Sequence, residues 1–231
     1  MIRKIFIDKP LQQKLKITDG NLKQRLKNIL RLKINDLIIF LNNFGEMGLY
    51  VIENSNYSEF RLLKYLPRNN KPKKLINLYL AIPKKQTLEE VIKLGTFLGV
   101  SNFYIFRAER SQYQISSNTL NRLNKIIYSS LEITPWQHTP YLESKNFADI
   151  VNLKNIFVLD QDGEDFRFDL PSEINIFLGP EGGWSIKEKN VFKSSGAKFI
   201  SLGKINLKLE IALAVFLSLV NFPLNDSDSK L

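Results

Sequence analysis

Two rhythms of apolar and polar positions divide the chain. Up to about residue 66 the apolar residues come in short β-prone runs, Ile2–Ile7, Leu37–Leu41, Leu49–Glu53 and Phe60–Leu66. Turn signals such as Asn42-Asn43-Phe44-Gly45 separate them. Between the first two runs, Leu22, Leu26, Ile29 and Leu30 recur at helical spacing, which predicts a helix over Leu22–Leu32. Lys23, Arg25, Lys27 and Arg31 populate its other faces. Strands around one short helix predict a small β-barrel.

Pro67–Lys74 breaks this rhythm. Two prolines bracket a polar, basic stretch with no apolar period, so it reads as a linker. The expected domains are 1–70 and 71–231. Beyond it, strand and helix patterns alternate, the mark of a mainly parallel α/β sheet. The expected strands are Leu75–Ile82, Phe103–Phe106, Ile156–Leu159, Ile174–Leu178 and Phe199–Leu202, nearly continuous apolar runs as buried parallel strands should be. The expected helices are Leu88–Leu98, ending at Gly99, then Thr119–Leu131, a helix opening at the capping box Ser185-Ile186-Lys187-Glu188, and Leu207–Asn221. Asn225–Leu231 reads as a frayed tail.

Composition removes whole reaction classes. Among 231 residues there is no cysteine and one histidine, His138. That rules out a disulfide scaffold, a thiolate nucleophile and a Cys-based zinc site, and no metal is expected. The longest apolar stretch, Ile211–Val220, is too short to span a bilayer, and Met1–Ile7 lacks a signal-peptide core. A soluble, cytoplasmic protein without a membrane partner is expected. Residues 1–74 carry 16 basic and 6 acidic side chains, and residues 75–231 carry 17 of each, so the net charge of +10 resides in the first third. A module of that charge suits a polyanion such as nucleic acid.

The densest chemistry lies in Ile174–Leu178 followed by Gly179-Pro180-Glu181-Gly182-Gly183-Trp184-Ser185. A buried strand enters a glycine turn and then a capped helix. The turn has neither P-loop spacing nor the dinucleotide fingerprint, so a neutral or cationic ligand gripped by backbone groups fits it better than a phosphate. A purely structural turn has the same local pattern. Gly203 ends the next strand, and Asp160-Gln161-Asp162-Gly163 follows the one before. Ligands of open α/β sheets settle at such carboxyl ends, so these three loops would share one pocket.

The glycine turn, with Leu202-Gly203 and the helix start Leu207, Glu210, Ala212, resembles the SPOUT class of knotted RNA methyltransferases. Within it, the chain is similar to the ribosomal RNA small-subunit methyltransferase E family, which methylates a uridine at N3. Ile29-Leu30-Arg31-Leu32, Leu98-Gly99-Val100 and Glu109-Arg110-Ser111 resemble further segments of that family. The resemblance implies a PUA-like RNA-binding β-barrel, then an α/β domain with a mainly parallel sheet and a C-terminal trefoil knot. It implies S-adenosylmethionine held largely by backbone at Leu178, Gly179, Gly183, Leu202, Gly203 and Leu207. It also implies a homodimer acting on ribosomal RNA or the small ribosomal subunit, with Ala212, Ala214, Val215 and Leu219 suited to close helix packing.

The departures from the family pattern are specific. Ile205 and Lys208 stand where arginines are usual, Ile211 where threonine is, Glu132-Ile133 for Glu-Gln, and Trp136 for a following arginine. Lysine does not reproduce the two-pronged grip of arginine. A divergent RNA-binding protein that has lost methyl transfer, or a sibling enzyme with another RNA target, would carry the same changes. Lys208 and Glu210 are the candidate catalytic groups. Arg3, Lys4, Arg25, Arg31, Lys33, Arg107 and Arg110 are candidate RNA contacts, with Lys23 and Lys27 beside them. Of the aromatics Phe6, Phe40, Phe44 and Tyr50, most are expected in the core rather than against bases. His138 is expected to be structural.

Overall fold

A computed structural model describes residues 2–67, 72–134, 136–166 and 170–221. The tail 225–231, half of the linker (68–71) and the boundary at residue 70 lie outside them. The chain forms two compact units. Leu131–Thr139 joins Met1–Asn70 in the first, and Lys71–Ser130 with Pro140–Leu231 makes the second. The return of Leu131–Thr139 to the first unit has no apolar or turn signature in the sequence.

In the first unit, β1 (Arg3–Phe6), β2 (Lys14–Lys16), β3 (Leu37–Leu41), β4 (Met47–Ile52) and β5 (Glu59–Tyr65) form one sheet in the order β1-β3-β4-β5-β2. Only β1 and β3 run parallel. Its inward residues, among them Ile5, Leu15, Ile38, Phe40, Tyr50 and Phe60, make one core. Phe40 meets Tyr50 and Phe60 edge-to-face at 5.4 and 5.1 Å. Strand β2 escapes the sequence pattern because three residues show too little alternation.

The predicted helix over Leu22–Leu32 is shorter and differently wound. Asp19 caps α1 (Gly20–Gln24) by accepting from the Asn21 and Leu22 amides at 2.8 and 3.3 Å. Arg25–Ile29 continues as a π-helical turn, with the Leu30 amide donating to the Arg25 carbonyl at 2.9 Å. The wider turn breaks the three-residue register. Leu26 is buried against the core with Leu22 and Leu30, while Ile29 swings out and is 72% exposed. Placing Ile29 on the buried face is therefore wrong, because the α-helical period does not hold there. Arg31 follows with φ +52°.

The second unit holds β6 (Leu75–Ala81), α2 (Lys85–Phe97), β7 (Asn102–Phe106), α3 (Ser117–Leu131), β8 (Tyr141–Ser144), α4 (Phe147–Ile150), β9 (Ile156–Asp165), β10 (Glu173–Leu178), α5 (Ile186–Ser194), β11 (Lys198–Ser201) and α6 (Leu209–Asn221). The six strands pair in parallel in the order β11-β9-β10-β6-β7-β8. The apolar runs of β6 and β10 are buried almost throughout. α2 packs against α6. α2 ends as the sequence predicts, at Gly99, whose φ of +85° lets the Val100 amide reach back to the Gly95 carbonyl at 2.8 Å. β8 and α4 are too short to stand out by period. Among the described residues no helix is long and apolar enough to cross a membrane.

One polar rung crosses the apolar sheet. Asn175, Asn77 and Asn102 are register partners on β10, β6 and β7. Asn102 Nδ2 donates to Asn77 Oδ1 at 2.8 Å, Asn77 Nδ2 to Asn175 Oδ1 at 2.9 Å, and Asn175 Nδ2 to the Lys154 carbonyl at 2.7 Å. Slipping any strand would strand these amides, so the rung fixes the register.

β9 departs from the sequence reading. Its pairing with β11 jumps from Val158–Phe199 to Glu164–Ile200. Asp160–Gly163 is thus an excursion within β9, and not a loop after a strand that ends at Leu159. The backbone of β11 crosses it closely at Gly163.

Candidate active-site cleft

Chain connectivity positions the cleft. β6 and β10 are neighbours, but the chain leaves β6 toward β7 and leaves β10 toward β11. Strand order reverses there, and the loops at the carboxyl ends diverge to leave a crevice. A cleft of about 910 Å³ opens at that place. Its walls are the β9 excursion, the glycine turn after β10, the segment from β11 to α6, and the first turn of α2.

The glycine turn is a fixed object. The Gly183 amide donates to the Pro180 carbonyl at 2.8 Å, and Gly183 has φ +67°. Trp184 is buried, and its Nε1 donates to the Leu159 carbonyl at 3.3 Å, joining the turn to β9. The indole lies under Gly179, where an added Cβ would come within 3.1 Å of it. Trp184 also packs on Phe106 and Phe192 with ring centroids 6.2 and 5.0 Å apart. Ser185 and Glu188 form the expected capping box at the start of α5.

Two further contacts brace this turn. Glu188 is buried, and its carboxylate accepts from the Ser185 amide at 2.9 Å and from the Glu109 amide, on the loop after β7, at 2.8 Å. From that same loop, Arg110 Nη1 donates to the Gly182 carbonyl at 2.7 Å. Glu181 reaches the other way and accepts from the Lys84 amide at 3.0 Å, at the N-terminus of α2. A carboxylate there satisfies an open helix amide and meets the positive end of the dipole.

The second loop carries Gly203 at φ +112°, with its amide on Ser201 Oγ at 3.2 Å. No heavy atom lies within 4 Å of a Cβ built at Gly183 or Gly203, so both glycines leave open space. On the opposite wall, Lys189 Nζ binds Asp160 at 2.8 Å and Asp162 at 3.1 Å. Burial works against the charged lysine, but the two carboxylates overcome it and its pKa is raised.

The structure brings Leu178, Gly179, Gly183, Leu202, Gly203, Leu207, Lys208, Glu210 and Arg110 to this one cleft. Arg107 is exposed at the end of β7 and is not among its walls. Of the candidates in the first unit, Arg3, Arg31 and Lys33 are exposed. Lys4 donates to the Thr134 carbonyl, and Arg25 forks onto Glu132 at 3.1 and 2.5 Å. The Glu132 hydrogen bond raises the Arg25 pKa, against partial burial. Glu132 Oε1 also accepts from the Phe6 amide at 3.1 Å, so Arg25 helps hold Leu131–Thr139 in the first unit. Sequence reasoning missed Trp184, Lys84, Gln86, Thr87, Glu90 and Lys189 as cleft walls. Ile82-Pro83-Lys84 at a strand's carboxyl end is the signal that points to the α2 side.

The model of the RNA methyltransferase domain matches residues 69–221. The ribosomal RNA small subunit methyltransferase E of Synechocystis sp. is 26% identical over 209 residues, which is 85% of this chain and 69% of that protein. The protein of the same name from Rickettsia conorii is 27% identical over 226 residues, covering 90% of this chain and 91% of its own. A crystal structure of ribosomal RNA small subunit methyltransferase E from Neisseria gonorrhoeae, bound to S-adenosyl methionine, superposes with a TM-score of 0.83. It is 19% identical and covers 94% of this chain and 96% of the other. The likeness gives the fold, a SPOUT-type methyltransferase fold with a parallel sheet. With two thirds of its length matched by the family model and its strand ends converging on one cleft, the chain belongs to the RNA methyltransferase domain family.

Proposed function

We propose that this chain is an S-adenosylmethionine-dependent methyltransferase of small-subunit ribosomal RNA, acting on N3 of a uridine. One observation carries the reading: the β9 excursion and the carboxyl ends of β10 and β11 meet in a cleft whose glycines leave backbone exposed. The walls fit the cofactor. The cofactor carries a sulfonium, an amino group and a carboxylate, and the walls carry both signs, Glu90 and Glu210 among the acids and Lys84, Arg110 and Lys208 among the bases, while the open space at Gly183 and Gly203 admits a ligand against peptide groups. Leu178, Gly179, Gly183, Leu202, Gly203 and Leu207 would hold it. When bound, it supplies an electrophilic methyl group.

The chain's own residues do the rest. Positioning the base in line with that methyl group is the main task of a rigid cleft. Glu210, in the first turn of α6, has no hydrogen-bond or ion-pair partner among the described residues, so its carboxylate is available to receive the N3 proton. Lys208, exposed on the same wall, stabilises the anion that develops on the base. Arg110 and Glu188 brace the glycine turn.

The fold reading goes with this function: a PUA-like barrel in the first unit, a trefoil knot at the C-terminal end of the second, and a cytoplasmic homodimer. Ala212, Ala214, Val215 and Leu219 on α6 are each half-buried in the single chain, which supports packing against a second copy. Arg3, Lys4, Arg31 and Lys33 would meet RNA phosphates, with Arg107 and Arg110 from the second unit; Arg25 would act mainly through Glu132.

A second reading has its own observation. Ile205 and Ile211, in place of a family arginine and threonine, are 73% and 45% exposed beside the cleft. Such changes suit a protein that keeps the fold and RNA binding but has lost transfer. Calorimetry with S-adenosylmethionine, then transfer of a labelled methyl group to small subunits lacking the mark, decides. Binding followed by modification at one uridine N3 is expected. Cofactor binding without transfer to any RNA would establish the second reading.

A further inference from the structure

Asn42 is wholly buried at the end of β3, and its side chain builds the β3–β4 turn. Oδ1 accepts from the Phe44 amide at 3.1 Å and the Glu46 amide at 2.9 Å. Nδ2 donates to the Lys9 carbonyl at 2.9 Å and to Glu46 Oε2 at 2.7 Å. Glu46 Oε2 also accepts from the Leu11 amide at 2.8 Å, and Gly45 closes the turn at φ +82°. The turn is thus tied to the Lys9–Leu11 segment and held in one shape.

This rigid turn displays an aromatic ring. Phe44 is 59% exposed, whereas Phe40, Tyr50 and Phe60 of the same unit are fully buried and pack on one another. Phe44 is thus an exception among aromatics of which most are expected in the core, and the Asn42 bonds hold its backbone in the turn. Its neighbours in sequence, Asn43 and Gly45, add no apolar side chain to the ring. A single exposed ring falls far below the area of a protein interface. The segment tied to the turn is rich in lysine: Lys9 is bonded to it through its carbonyl and donates its ammonium to the Lys16 carbonyl, and Lys14 and Lys16 are exposed on β2, while the Glu46 carboxylate is taken up by Asn42 and the Leu11 amide. Residues 1–74 hold 16 basic against 6 acidic side chains.

We infer that Phe44 is a stacking platform for an unpaired base of the RNA substrate, with the strand's phosphates on the lysines around it. The inference rests on the RNA reading proposed above and adds a contact outside the cleft. A single ring preset by a rigid turn loses little entropy when a base covers it, and every base offers a π-face.

The test uses the full chain, a short oligouridylate, and the same strand locked in a duplex. Phe44→Ala and Phe44→Leu are expected to weaken single-strand binding by about 5- to 150-fold, the equivalent of one stacked base at about 1–3 kcal/mol, while duplex binding and the melting temperature stay unchanged. Phe44→Trp keeps affinity, and its emission, taken as the difference from wild type, is quenched on binding the single strand. Unchanged single-strand affinity of Phe44→Ala, with wild-type binding intact, overturns the platform alone. Loss of binding to intact small subunits but not to naked RNA also overturns it, in favour of a ribosomal protein contact. A wild-type chain that binds no RNA overturns the RNA reading together with it.

Discussion

Gly163 and Ile200 approach so closely that a Cβ on the glycine would lie 2.5 Å from the Ile200 carbonyl carbon and 2.6 Å from its nitrogen. Backbone atoms cannot rotate aside as a side chain can. Gly163→Ala must therefore separate β11 from the β9 excursion, and both are walls of the cleft. We expect a loss of about 1–3 kcal/mol in urea unfolding, with weaker S-adenosylmethionine binding by calorimetry. Gly20→Ala, at a helical position with open space around it, is the control and should be neutral or slightly stabilising.

The Asn175–Asn77–Asn102 rung predicts an asymmetry. Asn77→Leu removes the central amide and leaves Asn102 Nδ2 and Asn175 Oδ1 without their partners inside the sheet. The expected cost is about 1–3 kcal/mol for each buried group left unmade. Replacing all three asparagines by leucine should cost less than the sum of the single changes. Denaturant unfolding of the single and triple variants measures this, and strict additivity would contradict a coupled rung.

Arg31 holds φ +52°, a conformation that glycine adopts without strain. Arg31→Gly should raise stability by about 1 kcal/mol. If the exposed guanidinium meets phosphate, the same change lowers RNA affinity and reduces the salt slope by about one. Melting and RNA titration across salt concentrations then move in opposite directions. A gain in stability with unaltered RNA binding would remove Arg31 from the RNA surface.

Two buried phenols set the alkaline limit. Burial pushes Tyr50 up to about 12, with the Tyr65 charge adding to it, and burial raises Tyr79 further. Both are raised above the unfolded value near 10, so their stabilisation is complete below about pH 10 and is lost as pH rises toward the folded values. Tyrosinate absorbance of the native protein should therefore rise in two stages. The second stage should coincide with unfolding. Tyr50→Phe, which loses the hydrogen bond to the Gln12 carbonyl at 2.9 Å, should reduce its amplitude.

How much was legible in the sequence depended on the kind of interaction. Continuous apolar runs such as Ile174–Leu178 mark buried strands because a parallel strand is covered on both faces. The Ser185–Glu188 cap and the Gly99 stop were legible because their bonds are local. The glycine turn pointed to the cleft for the same reason, since its loops sit at strand ends. The β9 excursion was hidden because β11, more than thirty positions later, determines where that strand goes on. Trp184 stood in the glycine stretch without a role of its own, and only its bond to Leu159 shows that it supports the turn. Ile29 was misjudged because a π turn looks like an α-helix in the apolar pattern. Glu132 matched the family's Glu-Gln pair, but nothing in that match pointed to Arg25, more than a hundred positions earlier.

The bond between Arg25 and Glu132 bears on how this polypeptide is made. A ribosome that has released only the first seventy residues has not yet supplied the carboxylate that Arg25 and the Phe6 amide require. The first unit is completed only after β6, α2, β7 and α3 have been synthesised. Its maturation is thereby timed to the growth of the second, and a genetic fusion or cut placed at the linker would leave each piece with an unfinished surface.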